Sequence, residues 1–191
     1  INTNPDKDHF EGFIPLLDRY TVGAFIEAGT DASTNPLWME LKKKISDKNI
    51  PDIVAVRGQR IDLGSGVHLD ILFPDRDVPG LAHNDGSIVM RLVYGKTSLL
   101  LTGDSTEIIE KYLVGLDPAS LDSDILKVGH HGSKTSTSEE FVQAVTPEFA
   151  VISSGKDNMY GHPNQETLDT LAKNSIPALD TCMMGIISFE S

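Results

Sequence analysis

Three short apolar runs in this chain each break off into a polar loop carrying glycine together with histidine or aspartate. Ser98–Leu101 ends in Thr102-Gly103-Asp104, and Ile125–Val128 ends in Gly129-His130-His131-Gly132-Ser133. Phe149–Ser153 leads on to Tyr160-Gly161-His162-Pro163. Short aliphatic runs bounded by turn residues read as strands. Glycine beside a polar side chain lets backbone and donor atoms come close to a ligand. The fold must therefore bury several short strands and leave their ends as polar loops. Asn4-Pro5-Asp6-Lys7-Asp8-His9 has the same character, as does the loop carrying Asn84 before Ser87. Four of the six histidines lie in these five segments.

Around them, helical and strand-like patterns alternate. Phe10, Phe13, Ile14, Leu17 and Tyr20 recur at three- and four-residue spacing, which predicts an amphipathic helix ending near Arg19. Pro36 at a first turn, then Leu37, Met39, Leu41 and Ile45, predicts a second helix with lysines toward its far end. Further helices are predicted over Thr106–Val114, Ser138–Val145 and Glu166–Asn174. Ile53–Val56, Ser87–Val93 and Gly185–Phe189 read as strands, and Ile61–Leu63 with Val67–Phe73 as a hairpin about Gly64-Ser65-Gly66. Mixed elements without a strict βαβ rhythm predict an α+β layered domain, a single unit over residues 1–191.

Composition excludes several classes. Hydrophobic residues make up 39% of the 191 positions, enough with 16 glycines for an ordinary core and too much for intrinsic disorder. The lone Cys182 rules out an internal disulfide framework and a multi-thiolate zinc site. No run approaches the roughly 18 apolar residues of a membrane span. With 16 Lys+Arg against 28 Asp+Glu, the net charge of −12 disfavours a general nucleic-acid-coating protein, although a local basic groove is allowed. No signal sequence is visible in the chain as given, which favours a cytoplasmic over an exported location.

Each candidate has a plain structural alternative. Asp6, Asp8 and His9 precede a helix and can serve as an acidic N-terminal cap, and Asp104 can cap the helix from Thr106. Gly161-His162-Pro163 can be a turn opening a helix. His130-His131 stands apart, because consecutive histidines leaving a strand have little packing purpose. Gly95-Lys96-Thr97 lacks the glycine a phosphate loop needs five positions earlier, where Met90 stands, and reads as a hairpin turn. His68 and His83 read as structural or solvated, and Cys182-Met183-Met184 as packing.

Taken in order, Asn-Pro-Asp-x-Asp-His, Asn84-x-x-Ser87-Ile88-Val89, Leu101-Thr102-Gly103-Asp104, Leu126-Lys127-Val128-Gly129-His130-His131-Gly132-Ser133 and Tyr160-Gly161-His162-Pro163 resemble the metallo-β-lactamase superfamily. Within it they resemble the β-lactamase-like domain of ComEC-type competence (DNA-uptake) proteins and their soluble relatives. The resemblance implies an αββα sandwich with two divalent metal ions, zinc or manganese, at one edge of its sheets. It aligns Asn4, Asp6, Asp8 and His9 with the family's first ligand motif, Asp104 with its bridging carboxylate, and His130 or His131 and His162 with its later ligands. Neighbouring residues on an extended strand point opposite ways, so one of His130 and His131 is expected to bind metal and the other to contact substrate or orient a ligand, with His130 favoured as the ligand and His131 as the transition-state donor. Asn4 departs from the family's histidine, and a neutral amide is a poor transition-metal ligand. That position is therefore expected to be weak, oxygen-rich or better suited to Mn²⁺ than Zn²⁺. The family fold also implies roughly 50–70 further residues of strand and hairpin upstream of Ile1.

The activity implied is two-metal hydrolysis of a phosphodiester, as by a nuclease, with Asp8 or Asp104 orienting the water. His131, Ser133 and Lys134 are placed to hold a phosphate oxygen. Two alternatives stand beside it. One is hydrolysis of a small ester, lactone or lactam at the same site, which the net charge of −12 favours over a polyanion. The other is a binding domain that has lost its metals, suggested by Asn4.

Overall fold

Successive residues of a strand face opposite sides of a sheet. Ile88, Val89 and Met90 are all buried, so the sheet they enter must be covered on both faces. A computed structural model, which describes residues 1–190, shows how. The main sheet has seven strands in chain order: β3 (Arg60–Gly64), β4 (Val67–Phe73), β5 (Val89–Tyr94), β6 (Thr97–Leu101), β7 (Ile125–Lys127), β8 (Phe149–Ile152) and β9 (Ala178–Asp180). Pairing is antiparallel from β3 to β6 and parallel from β6 to β9. Helices α4 (Glu107–Leu116), α5 (Glu139–Val145) and α6 (Gln165–Lys173) make the three parallel crossovers. The second half thus has a regular βαβ rhythm that the sequence hides, because β9 is only three residues long.

One face of the sheet packs Val89, Leu100, Leu126 and Ala150 against Ile109 and Leu113 of α4, Phe141, Val142 and Val145 of α5, and Leu171 of α6. The other face packs Leu69, Ile71, Ile88 and Met90 against Ala28 and Ala55. These alanines follow the two strands of a small parallel sheet, β1 (Phe25–Glu27) and β2 (Asp52–Val54). Beyond it, Phe10 of α1 (Lys7–Phe10), Leu17 of α2 (Phe13–Arg19) and Trp38, Leu41 and Ile45 of α3 (Pro36–Asp47) close a third cluster around Phe25. The layers run helix, sheet, sheet, helix, an α+β architecture. Among the described residues, no helix is long and apolar enough to cross a membrane.

Three expectations need correction. The chain leaves the sheet at Asp180, whose carboxylate accepts the Cys182 N–H and opens the short helix α7 (Thr181–Met184). Gly185 follows at φ +74°, and Gly185–Phe189 forms no strand, with Ile186 94% exposed. Nor does Cys182-Met183-Met184 pack as core, since Met183 is 82% exposed. The predicted helix from Phe10 to Tyr20 is two helices, broken at Glu11-Gly12.

The parallel strands β6, β7 and β8 all release their loops at one edge. Glu110 on α4 supports that edge from behind. Its buried carboxylate accepts the N–H groups of Thr137 and Ser138, at 2.5 and 2.8 Å, where the chain turns into α5. Burial pushes the Glu110 carboxyl up to about 7 against the pull of these two donors. Glu110→Ala leaves two buried donors unpaired and should lower stability by about 1–3 kcal/mol in denaturant titrations. Because the folded pKa lies above the unfolded one, Glu110's contribution is fullest below pH ~4.5 and falls as pH rises through 7. The cost of the substitution should therefore shrink between pH 5 and pH 8; a cost that grows over that range would contradict this assignment.

Candidate metal centre

The loop edge is knitted together before any ion is considered. Residues 1–4 run along the small sheet, with Asn2 N–H donating to Ile26 O at 2.8 Å and Ile88 N–H to Thr3 O at 2.9 Å. The buried amide of Asn4 is engaged at both ends: Oδ1 accepts the Asp6 N–H at 3.0 Å, and Nδ2 donates to Ser87 Oγ at 3.2 Å. Ser87 Oγ also accepts the Asp104 N–H at 3.3 Å. Asn4, aligned with the first ligand position, is thus a bracket that ties the first loop to the loop after β6.

On this frame four side chains converge. One donor atom from each of Asp8, His9, Asp104 and His131 lies within 4.8 Å of the others. His9 Nε2 is 2.9 Å from Asp104 Oδ2 and 3.7 Å from Asp8 Oδ2. His131 Nε2 is 3.4 Å from Asp8 Oδ2 and 3.8 Å from Asp104 Oδ1. Both Nε2 atoms are buried without an aligned hydrogen-bond partner, the close His9–Asp104 approach included. Both Nδ1 atoms are partnered, His9 with Thr3 Oγ1 at 3.0 Å and His131 with the Ser153 carbonyl at 2.9 Å. Donation to a carbonyl puts a proton on His131 Nδ1, so that in the neutral ring Nε2 is a lone pair facing the carboxylates, the arrangement of a metal-binding histidine. Two imidazole nitrogens and two carboxylates suit zinc or manganese.

The electrostatics agree. Burial acts to lower the pKa of His9, but its contact with Asp104 and the charges of Asp8 and Asp6 outweigh burial and hold it above the ordinary value. Burial would raise Asp104, yet His9, His131 and His130 hold it below the usual carboxylate range. His162 is lowered, first by burial and then by the neighbouring His130 and His131.

The chain does not leave β7 in the extended conformation. His130 and His131 sit at φ +46° and +54° in a left-handed turn, a conformation that costs a residue with a Cβ about 1–2 kcal/mol. The turn sends both rings into one pocket: His131 toward Asp8 and Asp104, and His130 toward His162, with 5.5 Å between ring centroids. The premise that separated the two histidines therefore fails, and it is His131 that joins the carboxylate cluster. Gly132 must be glycine, since a Cβ there would lie 2.6 Å from Pro163. Asn164 locks the two loops, its N–H donating to Gly132 O and its Oδ1 accepting the Lys134 N–H, both at 2.9 Å.

The pocket in front of the cluster is about 480 Å³ and is lined by Asp6, Lys7, Asp8, Asp104, His130, His131, Tyr160 and His162 among others. Ser133 and Lys134 are not among its walls. Ser133 is buried with Oγ on Thr135, and Lys134 borders a separate groove between α4 and α6, so neither is placed to hold a phosphate oxygen here. Asp6 is held off the cluster by His83, Oδ1 to Nδ1 at 2.7 Å. Sequence reasoning did not single out Thr3, Ser153 or Asn158. Ser153 reaches His131 from a distant segment, whereas Thr3 lies only six residues from His9 and Asn158 closes its own loop.

An αββα sandwich that gathers carboxylates and imidazoles at the loop edge of its sheets is a metallohydrolase-like scaffold. The chain belongs to the metallo-β-lactamase superfamily, whose family profile matches residues 1–156. Members of that superfamily are mostly hydrolases and usually bind divalent metals. The chain is 41% identical to ComE operon protein 3 of Bacillus subtilis over 196 aligned residues, 100% of this chain and 24% of that protein. Competence protein ComA of Neisseria gonorrhoeae is 40% identical over 65% of this chain and 18% of its own length. Recombination protein 2 of Haemophilus influenzae is 38% identical over 63% and 15%. The chain thus spans a quarter or less of these relatives. Among solved structures, CmlA, a diiron β-hydroxylase from Streptomyces venezuelae, superposes with a TM-score of 0.55 at 14% identity, over 93% of this chain and 42% of that one, a likeness of fold.

Asn158 holds the last loop shut: Nδ2 donates to Gly155 O at 2.8 Å and His162 O at 2.6 Å, and Oδ1 accepts the His162 N–H at 2.9 Å. Asn158→Ala should speed amide exchange at His162 by an order of magnitude or more, at about 1 kcal/mol per lost bond, while leaving exchange in β6 and β7 unchanged. Unaltered exchange at His162 would show that the loop is held by other means.

Proposed function

We propose that the chain is a metal-dependent phosphodiesterase of nuclease type. The observation that carries this reading is the pair of unpartnered imidazole nitrogens, on His9 and His131, facing Asp8 and Asp104 on the pocket floor. These four side chains would hold one divalent ion, with Thr3 and the Ser153 carbonyl fixing the two rings. A second ion, as in the family's two-metal sites, would require Asp6 to part from His83, whose Nδ1 lies 2.7 Å from its Oδ1. When bound, a divalent ion supplies an acidified water and polarises a phosphoryl oxygen.

The chain's own groups supply the rest. Asp8, the most exposed carboxylate of the cluster, faces the pocket and accepts a proton from the attacking water. His130 and His162, paired on the same pocket, hydrogen-bond the phosphoryl oxygens and protonate the departing one. The relatives named for competence and recombination support nucleic acid as the source of the diester. The net charge of −12 favours a second reading, hydrolysis of a small ester or lactone by the same groups.

Protein expressed with added Mn²⁺ or Zn²⁺ should carry divalent metal by elemental analysis and cleave bis-p-nitrophenyl phosphate. His131→Ala and Asp104→Ala should each lose metal and at least ~100-fold in rate, more than loss of an outer hydrogen-bond partner costs. Metal-free protein after supplementation, or full activity in Asp104→Ala, would overturn the hydrolase reading. Cleavage of esters or lactones without phosphodiesters would favour the second.

A further inference from the structure

The pocket mouth carries an aromatic ring that neither the core nor the carboxylate cluster uses. Tyr160 is 73% exposed and lines the pocket. Its ring lies nearly parallel to that of His162, 23° between planes and 5.7 Å between centroids. One face is therefore backed by a pocket residue and the other is open. A lone exposed aromatic on a slack loop would need no explanation. This loop is tied, because Asn158 bonds to Gly155 and His162 on either side of Tyr160. A flat ring is thus mounted in one place with apolar area left in water.

Charge around the mouth is also distinctive. Lys7 lines the same pocket, and the exposed Lys156 directly follows Gly155, which also lines it. The contact of Lys7 with Glu11 is 3.5 Å between exposed groups, a pairing worth little and easily exchanged. Two lysines thus stand beside a pocket whose lining carboxylates are Asp6, Asp8 and Asp104. A stacking face beside flanking positive charge is how proteins hold single-stranded nucleic acid without reading its sequence.

We propose that Tyr160, backed by His162, is a stacking platform for one nucleobase of a single-stranded polynucleotide, with Lys7 and Lys156 beside its flanking phosphates. This rests on the phosphodiesterase reading and names the substrate of the same site: the base on Tyr160 sets the adjoining diester over Asp8 and Asp104. Stacking tolerates any base, so the subsite binds strands without sequence preference.

The test is fluorescence anisotropy on Mn²⁺-loaded protein with a labelled short oligothymidylate, and with the same backbone made abasic, both strands carrying phosphorothioate linkages to suppress turnover. Tyr160→Ala should weaken oligothymidylate binding by about 5- to 100-fold, the usual worth of one stacked base, and Tyr160→Phe should stay within about twofold of wild type. The abasic strand should bind wild type and Tyr160→Ala alike. Equal oligothymidylate binding by wild type and Tyr160→Ala, equal losses on both strands, or no strand binding at all would each overturn the platform. Hydrolysis of bis-p-nitrophenyl phosphate by wild type separates the two ideas. Cleavage without Tyr160-dependent strand binding leaves the phosphodiesterase standing and removes the platform. Tyr160-dependent binding without any phosphodiester cleavage keeps the platform and removes the phosphodiesterase.

Discussion

Asp104 is a carboxylate 4% exposed at the end of a buried strand, and much of the loop edge is arranged around that fact. An ionised group removed from water must be offset by opposite charge and hydrogen bonds. The chain meets this demand with His9 at 2.9 Å, His131 at 3.8 Å and the bracket from Ser87 to the Asp104 backbone. Lys127 adds little to it, since burial holds its ammonium below the usual range even with the charge of Asp104 pulling it up. The offset is incomplete, because the imidazole nitrogens facing the carboxylates lack aligned partners. A cation would complete it.

The backbone carries the cost of this arrangement. Two consecutive left-handed histidines are tolerated because neighbouring contacts fix them: His130 N–H donates to Gly103 O at 3.1 Å and Ser133 N–H to His130 O at 2.8 Å. The close approach of Gly132 to Pro163 then presses the last loop against the turn. Strain held in this way by surrounding structure is characteristic of functional sites. It also makes the two rings act on one pocket rather than on opposite faces of a strand.

How much of this could be read beforehand depended on where the information lies. The apolar runs that became β5 to β8 and the glycine-flanked loops after them are local features, and local pattern was enough to find them. β1 and β9 escaped because Phe25-Ile26-Glu27 and Ala178-Leu179-Asp180 each end in a carboxylate and lack the apolar run with a glycine-flanked loop that marked the equally short β7. The same limit hid the βαβ rhythm. At the site, the histidines and aspartates were visible as residue types. The roles that depend on backbone dihedrals or distant partners were not: His130 and His131 needed their φ angles, Asn4 needed Ser87, and Ser133 needed Thr135. His83 illustrates the boundary well, because reading it as structural or solvated captured its part-exposed setting and missed its grip on Asp6.

The net charge of −12 bears on substrate choice less directly than its size suggests. Screening at physiological salt limits the reach of exposed charge to about 8 Å. A ligand at the pocket therefore responds to the groups lining it, and much less to the acidic surface elsewhere. Those groups are Asp6, Asp8 and Asp104 below and Lys7 above. Without a cation the floor repels a phosphate, and with a divalent ion in place the floor attracts it. Whether this acidic protein accepts a polyanion is thus decided by the occupancy of one cluster of side chains, and the overall charge sets only the speed at which a strand arrives.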